Sequence, residues 1–183
     1  MTPSLRIRYA SRCNCSSSLN LLQTLASQVL APEETGTLDT IFTFLTSAAK
    51  EPAFDPSVQQ QLDNLEIELL TSILDRWDDS RRFPVLDLLR LVCAYSPGAF
   101  AGQGEGLRLF RALLTAADWT SDWAAPLSKT RETNTLLALR AVANAAQWAK
   151  EEWVAPVLAE LTKARYAALG KNHRVALATI VFK

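Results

Sequence analysis

Two polar side chains interrupt an apolar segment in the second half of the chain, and their spacing suggests a contact with a ligand. Arg140 and Asn144 lie four residues apart within Thr133–Trp148, which contains no Gly or Pro. On the helix that this segment predicts, residues four apart point the same way. An Arg can hold a carboxylate through two parallel hydrogen bonds, and an Asn can bond a peptide backbone. A simpler interpretation remains open, in which Arg140 pairs with a carboxylate on the next helix and Asn144 bonds a neighbouring backbone group.

The densest positive cluster lies near the end of the chain. Lys171, His173 and Arg174 fall within four residues, just before the last predicted helix. Unpaired N–H groups at a helix N-terminus also favour anions, so we expect this cluster to attract an anionic group. His173 is the only histidine in the sequence, which leaves a Ser/His/Asp or Cys/His catalytic set no other base of that type. We therefore expect His173 on the surface or at a helix cap.

The remaining reactive groups form no catalytic or metal-binding pattern. Cys13 and Cys15 have no second Cys or His pair to complete four zinc ligands, and Cys93 lies in an apolar run as a small core residue. The glycine-containing loop around Gly102 lacks the preceding strand and the following Lys of a phosphate-binding loop. We expect neither enzyme activity nor a metal or cofactor.

Periodic apolar positions predict the helices that must position these residues. With ends set by Gly, Pro and capping residues, the predicted helices are Leu19–Leu30, Thr37–Lys50, Ser57–Trp77, Phe83 to Ser96, Gly106–Ala117, Thr133–Trp148, Glu152–Leu169 and one after Arg174. Thr133 and Asn134 are expected to cap the central helix, and Gly170 to close the following one in a left-handed conformation. Trp119 and Trp123 are expected to cover the core, although an exposed pair could form a binding surface.

Two of these helices have clear packing faces. The long Ser57–Trp77 helix repeats apolar residues at spacings of three and four, Leu65 among them, with acidic residues between. The packing face of Glu152–Leu169 is expected to reach Tyr166. Both side chains are therefore predicted to point inward.

Three of the helices resemble one another, which indicates a repeated architecture. Leu86–Val92 aligns with Leu136–Val142 at a shift of 50 residues, and Val175–Val181 aligns with the same helix at a shift of 39. Helical units spaced by about 40 to 50 residues are typical of armadillo and HEAT arrays, in which each unit covers the apolar face of the next. We predict an all-α fold, an array of helical repeats of armadillo or HEAT type.

The same segments resemble the PUL domain. The resemblance is carried by Phe83–Leu91 (FPVLDLLRL), Asn134–Arg140 (NTLLALR) with Asn144, and Asn172–Thr179 (NHRVALAT). It runs from about Trp77 to Lys183 and more loosely back to Leu38. It implies a curved armadillo-like α-solenoid that acts as a non-catalytic adaptor. The partner that it implies is the C-terminal tail of the AAA unfoldase valosin-containing protein, in ubiquitin-dependent protein turnover.

The resemblance and the basic helices together give the predicted partner-binding residues. In armadillo-type arrays the inward-facing helices line a groove, where Asn bonds the ligand backbone and Arg or Lys holds acidic groups. The predicted residues are Arg90, Asn134, Arg140, Asn144, Lys171, His173 and Arg174. Arg90 aligns with Arg140, but Asp87 lies three residues before it and can pair with it, which would weaken Arg90 as a ligand contact.

An alternative function is a structural scaffold, in which Arg90 and Arg140 form ion pairs between repeats. The family resemblance includes fungal and plant proteins in which a PUL domain follows a thioredoxin-like or a deubiquitinase-like peptidase domain. In such a protein the catalytic residues would lie in the other domain, and this chain would support it.

Domain limits and charge complete the expectations. Residues 1–18 are expected to be a poorly ordered lead-in, and residues 19–183 a helical domain that is incomplete at its C-terminus, since relatives continue with further helices. Residues 127–183 carry nine basic and four acidic side chains, whereas residues 1–126 carry ten and fifteen. The resulting +5 and −5 favour an acidic partner for the second half and give no support for nucleic-acid binding. No apolar run reaches the roughly 20 residues of a membrane span. We expect a monomeric cytoplasmic or nuclear protein.

Overall fold

The computed structural model describes residues 24, 30–50, 62–96, 104–119, 123, 126–148 and 151–182 of the 183-residue chain. Within these residues the protein has seven α-helices and no strand, which confirms the predicted all-α class. They are α1 (Pro32–Lys50), α2 (Asn64–Arg76), α3 (Phe83–Tyr95), α4 (Glu105–Ala116), α5 (Lys129–Ala145), α6 (Glu151–Leu161) and α7 (Lys171–Val181). Short 3-10 turns, Asp79–Arg81 and Tyr166–Ala168, precede α3 and α7. The 1–18 lead-in, Cys13, Cys15, Gly102 and most of the predicted Leu19–Leu30 helix lie outside the described residues.

Helix α5 is the centre of the packing, as its sequence predicts. It packs most extensively against α3, and then against α7 and α4. The other contacts join α1 to α2 and α3, α2 to α3 and α4, and α4 to α6. Two runs of neighbours result, α1–α3–α5–α7 and α2–α4–α6, and helices of one run pack on helices of the other.

Helices α3 and α5 meet through a mixture of large and small side chains. Every side chain of α3 from Pro84 to Cys93 is buried. Helix α5 contributes small buried residues, among them Ala138, Ala141 and Ala145. Small side chains let two helix backbones approach closely. Polar side chains at the margins of this contact are therefore within reach of carbonyl groups on the opposite helix.

Trp119 and Trp123 lie inside the molecule. Their exposed fractions are 1% and 7%, and their rings meet edge to face with centroids 4.8 Å apart. The Trp119 indole N–H donates to the Glu160 carbonyl at 3.0 Å, and that of Trp123 donates to the Trp119 carbonyl at 3.1 Å. The prediction that the pair covers the core is confirmed, and the alternative of an exposed aromatic surface is wrong.

The beginnings of several helices were misplaced in the prediction, including that of α7, which begins at Lys171 and not after Arg174. Helix α1 begins at Pro32 and not at Thr37, because proline is favoured in a first turn and the Glu34 carboxylate accepts the Ala31 N–H at 3.0 Å. Helix α2 begins at Asn64 and not at Ser57. Its cap, Asp63, accepts the Leu65 N–H at 2.8 Å in a capping box with the third helical residue. In that first turn Leu65 points outward and is 69% exposed, so its predicted burial is wrong.

Helix α5 also begins earlier than predicted. Its N-cap is Ser128, whose hydroxyl accepts the Arg131 N–H at 3.2 Å. Thr133 and Asn134 therefore lie inside the helix and do not cap it. The four extra residues matter for the site, because they bring Glu132 beside the start of α7.

The region between α6 and α7 differs most from the sequence-based prediction. Helix α6 ends at Leu161 and not at Leu169. Just after Leu161, the Thr162 hydroxyl donates to the Ala159 carbonyl at 2.9 Å, and this side-chain bond competes with the backbone hydrogen bonds of a helix. The chain then forms the 3-10 turn that leaves Tyr166 60% exposed, and not packed inward. Gly170 has φ −66° and ψ 167°, so it is the extended N-cap of α7 and not a left-handed residue closing α6.

Candidate binding site

Three of the predicted ligand contacts bond the protein's own backbone. The Asn134 side chain donates to the Asp79 carbonyl at 2.9 Å, and the Asn144 side chain donates to the Arg90 carbonyl at 2.8 Å. His173 Nε2 lies 2.8 Å from the Glu132 carbonyl, and a carbonyl only accepts, so this nitrogen carries the proton. All three side chains are buried. They join α5 to the 3-10 turn before α3 and to the body of α3, and α7 to α5, and are not available to a ligand in this structure.

These contacts settle which of the earlier interpretations holds for two residues. Asn144 follows the simpler one, a bond to a neighbouring backbone group. His173 was expected on the surface or at a cap, and this is wrong, because the side chain is 2% exposed in the contact between α5 and α7.

Arg90 is also internal. It is 1% exposed, and its Nε and Nη2 both lie 2.8 Å from Asp87 Oδ1. The predicted pairing with Asp87 is confirmed. Since both side chains are enclosed by the core, the guanidinium of Arg90 does not face a surface where a partner could bind. Arg90 aligns with Arg140 because the two helices have similar sequences, although the two side chains lie in different surroundings.

The other three predicted residues remain at the surface. Lys171 is exposed, and Arg140 and Arg174 are half-buried. Within the described part of the chain, these three have neither a hydrogen bond nor an ion pair through their side chains. They are the cations of the predicted set that can meet a partner.

Lys171 and Arg174 belong to one open groove of about 450 Å³. Its lining is Tyr166, Leu169, Gly170, Lys171, Arg174, Val175 and Ala178. The four members from α7 follow the i, i+3, i+4, i+7 spacing that places side chains on one helix face. The 3-10 turn before α7 brings Tyr166 to the same place. Arg140 does not line this groove.

The position of Arg174 is fixed by an aromatic ring. Its guanidinium carbon lies 4.6 Å from the centre of the Tyr166 ring, in a cation–π contact. Its Nε is shielded from solvent and has no hydrogen-bond partner among the described residues. The guanidinium is thus held in place by stacking, while its donors are not satisfied by the protein.

The groove lies in the most uniformly basic part of the chain. From Leu161 to Lys183 the sequence has five Lys and Arg and no Asp or Glu. A described carboxylate close to the groove is that of Glu132, whose Oε1 would lie 3.6 Å from a Cβ placed on Gly170. The groove can therefore attract an anion, with one negative side chain at its edge.

Tyr166 is a residue of the groove that the sequence prediction misplaced. The helical pattern assigned it to the packing face of a continuous helix, although α6 ends five residues before it. The available signal was local: an aromatic residue directly follows Arg165, and Gly170, Lys171 and Arg174 come soon after it. Such a segment is more typical of a surface turn than of a buried helical face.

The groove combines cationic and apolar side chains with the Tyr166 phenol. Its lining contains no Ser, Cys, His or carboxylate side chain. The described Cys93 is buried in α3, and that burial raises the pKa of its thiol far above the ordinary value. In the part of the chain that the structure describes, no group of His, Cys, Asp and Glu is placed to hold a metal, and no helix is long and apolar enough to cross a membrane. What the groove offers is two cations beside an apolar wall.

Comparison with known families agrees with this picture. The family model of the PUL domain matches residues 7–183, which include every residue of the groove. No curated protein and no solved structure matches the chain. PUL domains are protein-interaction domains. The chain belongs to the PUL domain family.

Proposed function

We propose that this protein is a non-catalytic adaptor that binds the acidic C-terminal tail of the AAA unfoldase valosin-containing protein, in ubiquitin-dependent protein turnover. The observation that carries the proposal is the groove of Lys171 and Arg174, two cations with no ion-pair partner among the described residues, in a segment whose sequence has no acidic residue. Family membership supports a protein partner. The adaptor would act as a monomer in the cytoplasm or nucleus.

The arrangement of the helices supports an armadillo-type array as the framework of this adaptor. The run α1–α3–α5–α7 sets helices side by side, and the run α2–α4–α6 packs behind it. In such an array one run of helices presents a continuous surface to an extended peptide. Arg140, half-buried on α5, would be a second contact for the tail, after it leaves the groove on α7.

The direct test is fluorescence anisotropy of a labelled C-terminal peptide of valosin-containing protein. We expect the wild type to bind, and to bind more weakly as salt rises, because the contacts are between charged groups near solvent. Arg174→Glu should weaken binding at least about tenfold, and Arg140→Glu should weaken it by a smaller factor. Arg165→Glu is the matched control, since Arg165 is exposed on the same turn but does not line the groove.

Two results would contradict the proposal. One is the absence of peptide binding by a wild type whose circular dichroism is helical. The other is equal affinity of wild type, Arg140→Glu and Arg174→Glu, which would place the peptide elsewhere.

A structural scaffold is the second candidate, and one observation favours it. Arg90, Asn134, Asn144 and His173 all serve internal contacts, as residues of a supporting domain would. A scaffold attached to a redox or peptidase domain has no peptide site. It therefore predicts no binding of the tail at any ionic strength, whereas the adaptor predicts binding that salt weakens.

A further inference from the structure

The groove on α7 places charge and apolar surface side by side. Lys171 and Arg174 stand beside Leu169, Val175 and Ala178 in the same lining. Val175 is 49% exposed although it is apolar. A ligand that fills the groove must therefore present an anionic group within about one residue of an apolar one.

Arg174 is prepared to hold a planar anion. Its stacking on Tyr166, at 4.6 Å, limits the orientations of the guanidinium before any ligand arrives. None of its nitrogens has a hydrogen-bond partner among the described residues. A guanidinium in this state can bond a carboxylate through two parallel N–H groups, with little loss of side-chain freedom.

We propose that the groove recognises the terminal α-carboxylate of a peptide chain, held by Arg174 and Lys171, while the last side chains of the peptide lie on Val175 and Ala178. This inference rests on the proposed function, because it concerns the same groove and the same tail. The chemical group that the groove recognises is the carboxylate at the end of the peptide chain, and not only the acidic side chains within it.

The geometry favours a chain terminus over an internal Asp or Glu. At a C-terminus, the carboxylate and the adjoining side chain are both attached to one Cα, so a single residue meets the cation and the apolar wall together. An internal acidic residue carries its carboxylate at the end of its own side chain. It would have to leave the apolar wall uncovered, or bring a second residue into a groove of about 450 Å³.

Glu132 allows a prediction of whether the peptide affinity rises or falls when its charge is removed. Its carboxylate lies at the edge of the groove, near Gly170, and is exposed. A second carboxylate arriving at Arg174 is repelled by it. Glu132→Gln should therefore raise the affinity for a peptide with a free terminus by a few-fold, and should change the affinity for an amidated peptide less.

The experiment compares two forms of the labelled C-terminal peptide of valosin-containing protein, one with a free carboxylate and one amidated. Anisotropy titrations use wild type, Arg174→Ala and the control Arg165→Ala. We expect the amide to bind wild type about tenfold more weakly, the scale of a lost charge-assisted hydrogen bond. Arg174→Ala should reduce that ratio to about two, and Arg165→Ala should leave it intact. A third peptide, free at its end but with one internal acidic residue neutralised, controls for total charge and should lose less than the amide.

The outcomes separate this inference from the proposed function. Equal binding of the free and amidated peptides overturns the carboxylate site and leaves the adaptor function in place. An acid-to-amide ratio unchanged by Arg174→Ala also overturns it. Failure of wild type to bind either peptide overturns the proposed function, and the inference with it.

Discussion

The roles of individual polar residues are set by what surrounds them and not by their type. Arg90 and Arg140 occupy matched positions in similar helices, yet one is enclosed with Asp87 and the other remains half-exposed. Helix α3 is buried on all sides, because α1, α2 and α5 pack against it. A cation on such a helix needs a carboxylate beside it, because burying an unpaired charge is very unfavourable. Similar sequences in two repeats therefore predict similar helices, but they do not predict the same role for the matched side chains.

The buried pair gives the first stability prediction. Arg90→Met should lower the free energy of unfolding by about 3–5 kcal/mol, since Asp87 stays in the core without its cation. The double variant Arg90→Met with Asp87→Leu should recover much of that loss, because both desolvated charges are gone. Urea denaturation followed by circular dichroism measures both. A loss below about 0.5 kcal/mol in the single variant would mean that the pair contributes nothing to stability.

At the scale of helices, the sequence located elements well and their beginnings poorly. Pro84, Ser96 and the glycines before α4 identified where α3 and α4 lie, because residues that break helices act locally. Capping is different, since several Ser, Thr and Asp residues near each start are competent. Asp63 and Ser128 are the caps, because their side chains accept hydrogen bonds from N–H groups of the first turn. Only the folded arrangement decides between such candidates.

Two glycines inside helices give a matched prediction about helix packing. A Cβ on Gly106 of α4 would lie 2.8 Å from Trp153 Nε1, and the buried Trp153 ring is held edge to face by Phe110 at 5.9 Å. Gly106→Ala should therefore destabilise the protein by about 1–3 kcal/mol. Gly36 of α1 has no described atom within 4 Å of such a Cβ, so Gly36→Ala should stabilise it by about 0.5–1 kcal/mol.

Thermal denaturation of both variants distinguishes close packing from helix propensity. If Gly106→Ala raised the melting temperature as Gly36→Ala is expected to, the close approach of α4 and Trp153 would not limit the packing.

For the whole molecule, sequence periodicity predicted the all-α class and the central helix, and a count of charged residues showed that the second half is basic. It could not predict the bonds from Asn134, Asn144 and His173, because their backbone partners lie 41 to 55 residues away. It also missed the contact of Arg174 with Tyr166, which depends on where α6 ends. Three of the seven predicted ligand contacts proved internal for this reason, and Arg90 proved internal because other helices enclose α3. The sequence pattern identifies the polar residues of a helix. Only the tertiary contacts show which of their side chains already bond another part of the protein.

A contact between α1 and α2 predicts how the stability of the molecule responds to acid. In the first half, the Ala31 N–H and then the Arg76 guanidinium, 2.7 Å away, hold the pKa of Glu34 below its ordinary value, so this contact between α1 and α2 needs the ionised carboxylate. Because the folded pKa is the lower one, the stabilisation is complete above the ordinary glutamate pKa of about 4.3 and is lost as the pH falls through the folded value.

Glu34→Gln should therefore lower stability at pH 7, by less than about 1 kcal/mol for a pair near solvent. The difference from wild type should shrink in urea titrations as the pH falls below the ordinary glutamate pKa of about 4.3 and through the lower folded value. Thr37→Val serves as the control, since the Thr37 hydroxyl bonds the Glu33 carbonyl on the same helix and does not titrate. A gap between Glu34→Gln and wild type that stayed constant from neutral to acid pH would show that the carboxylate's charge does not link α1 to α2.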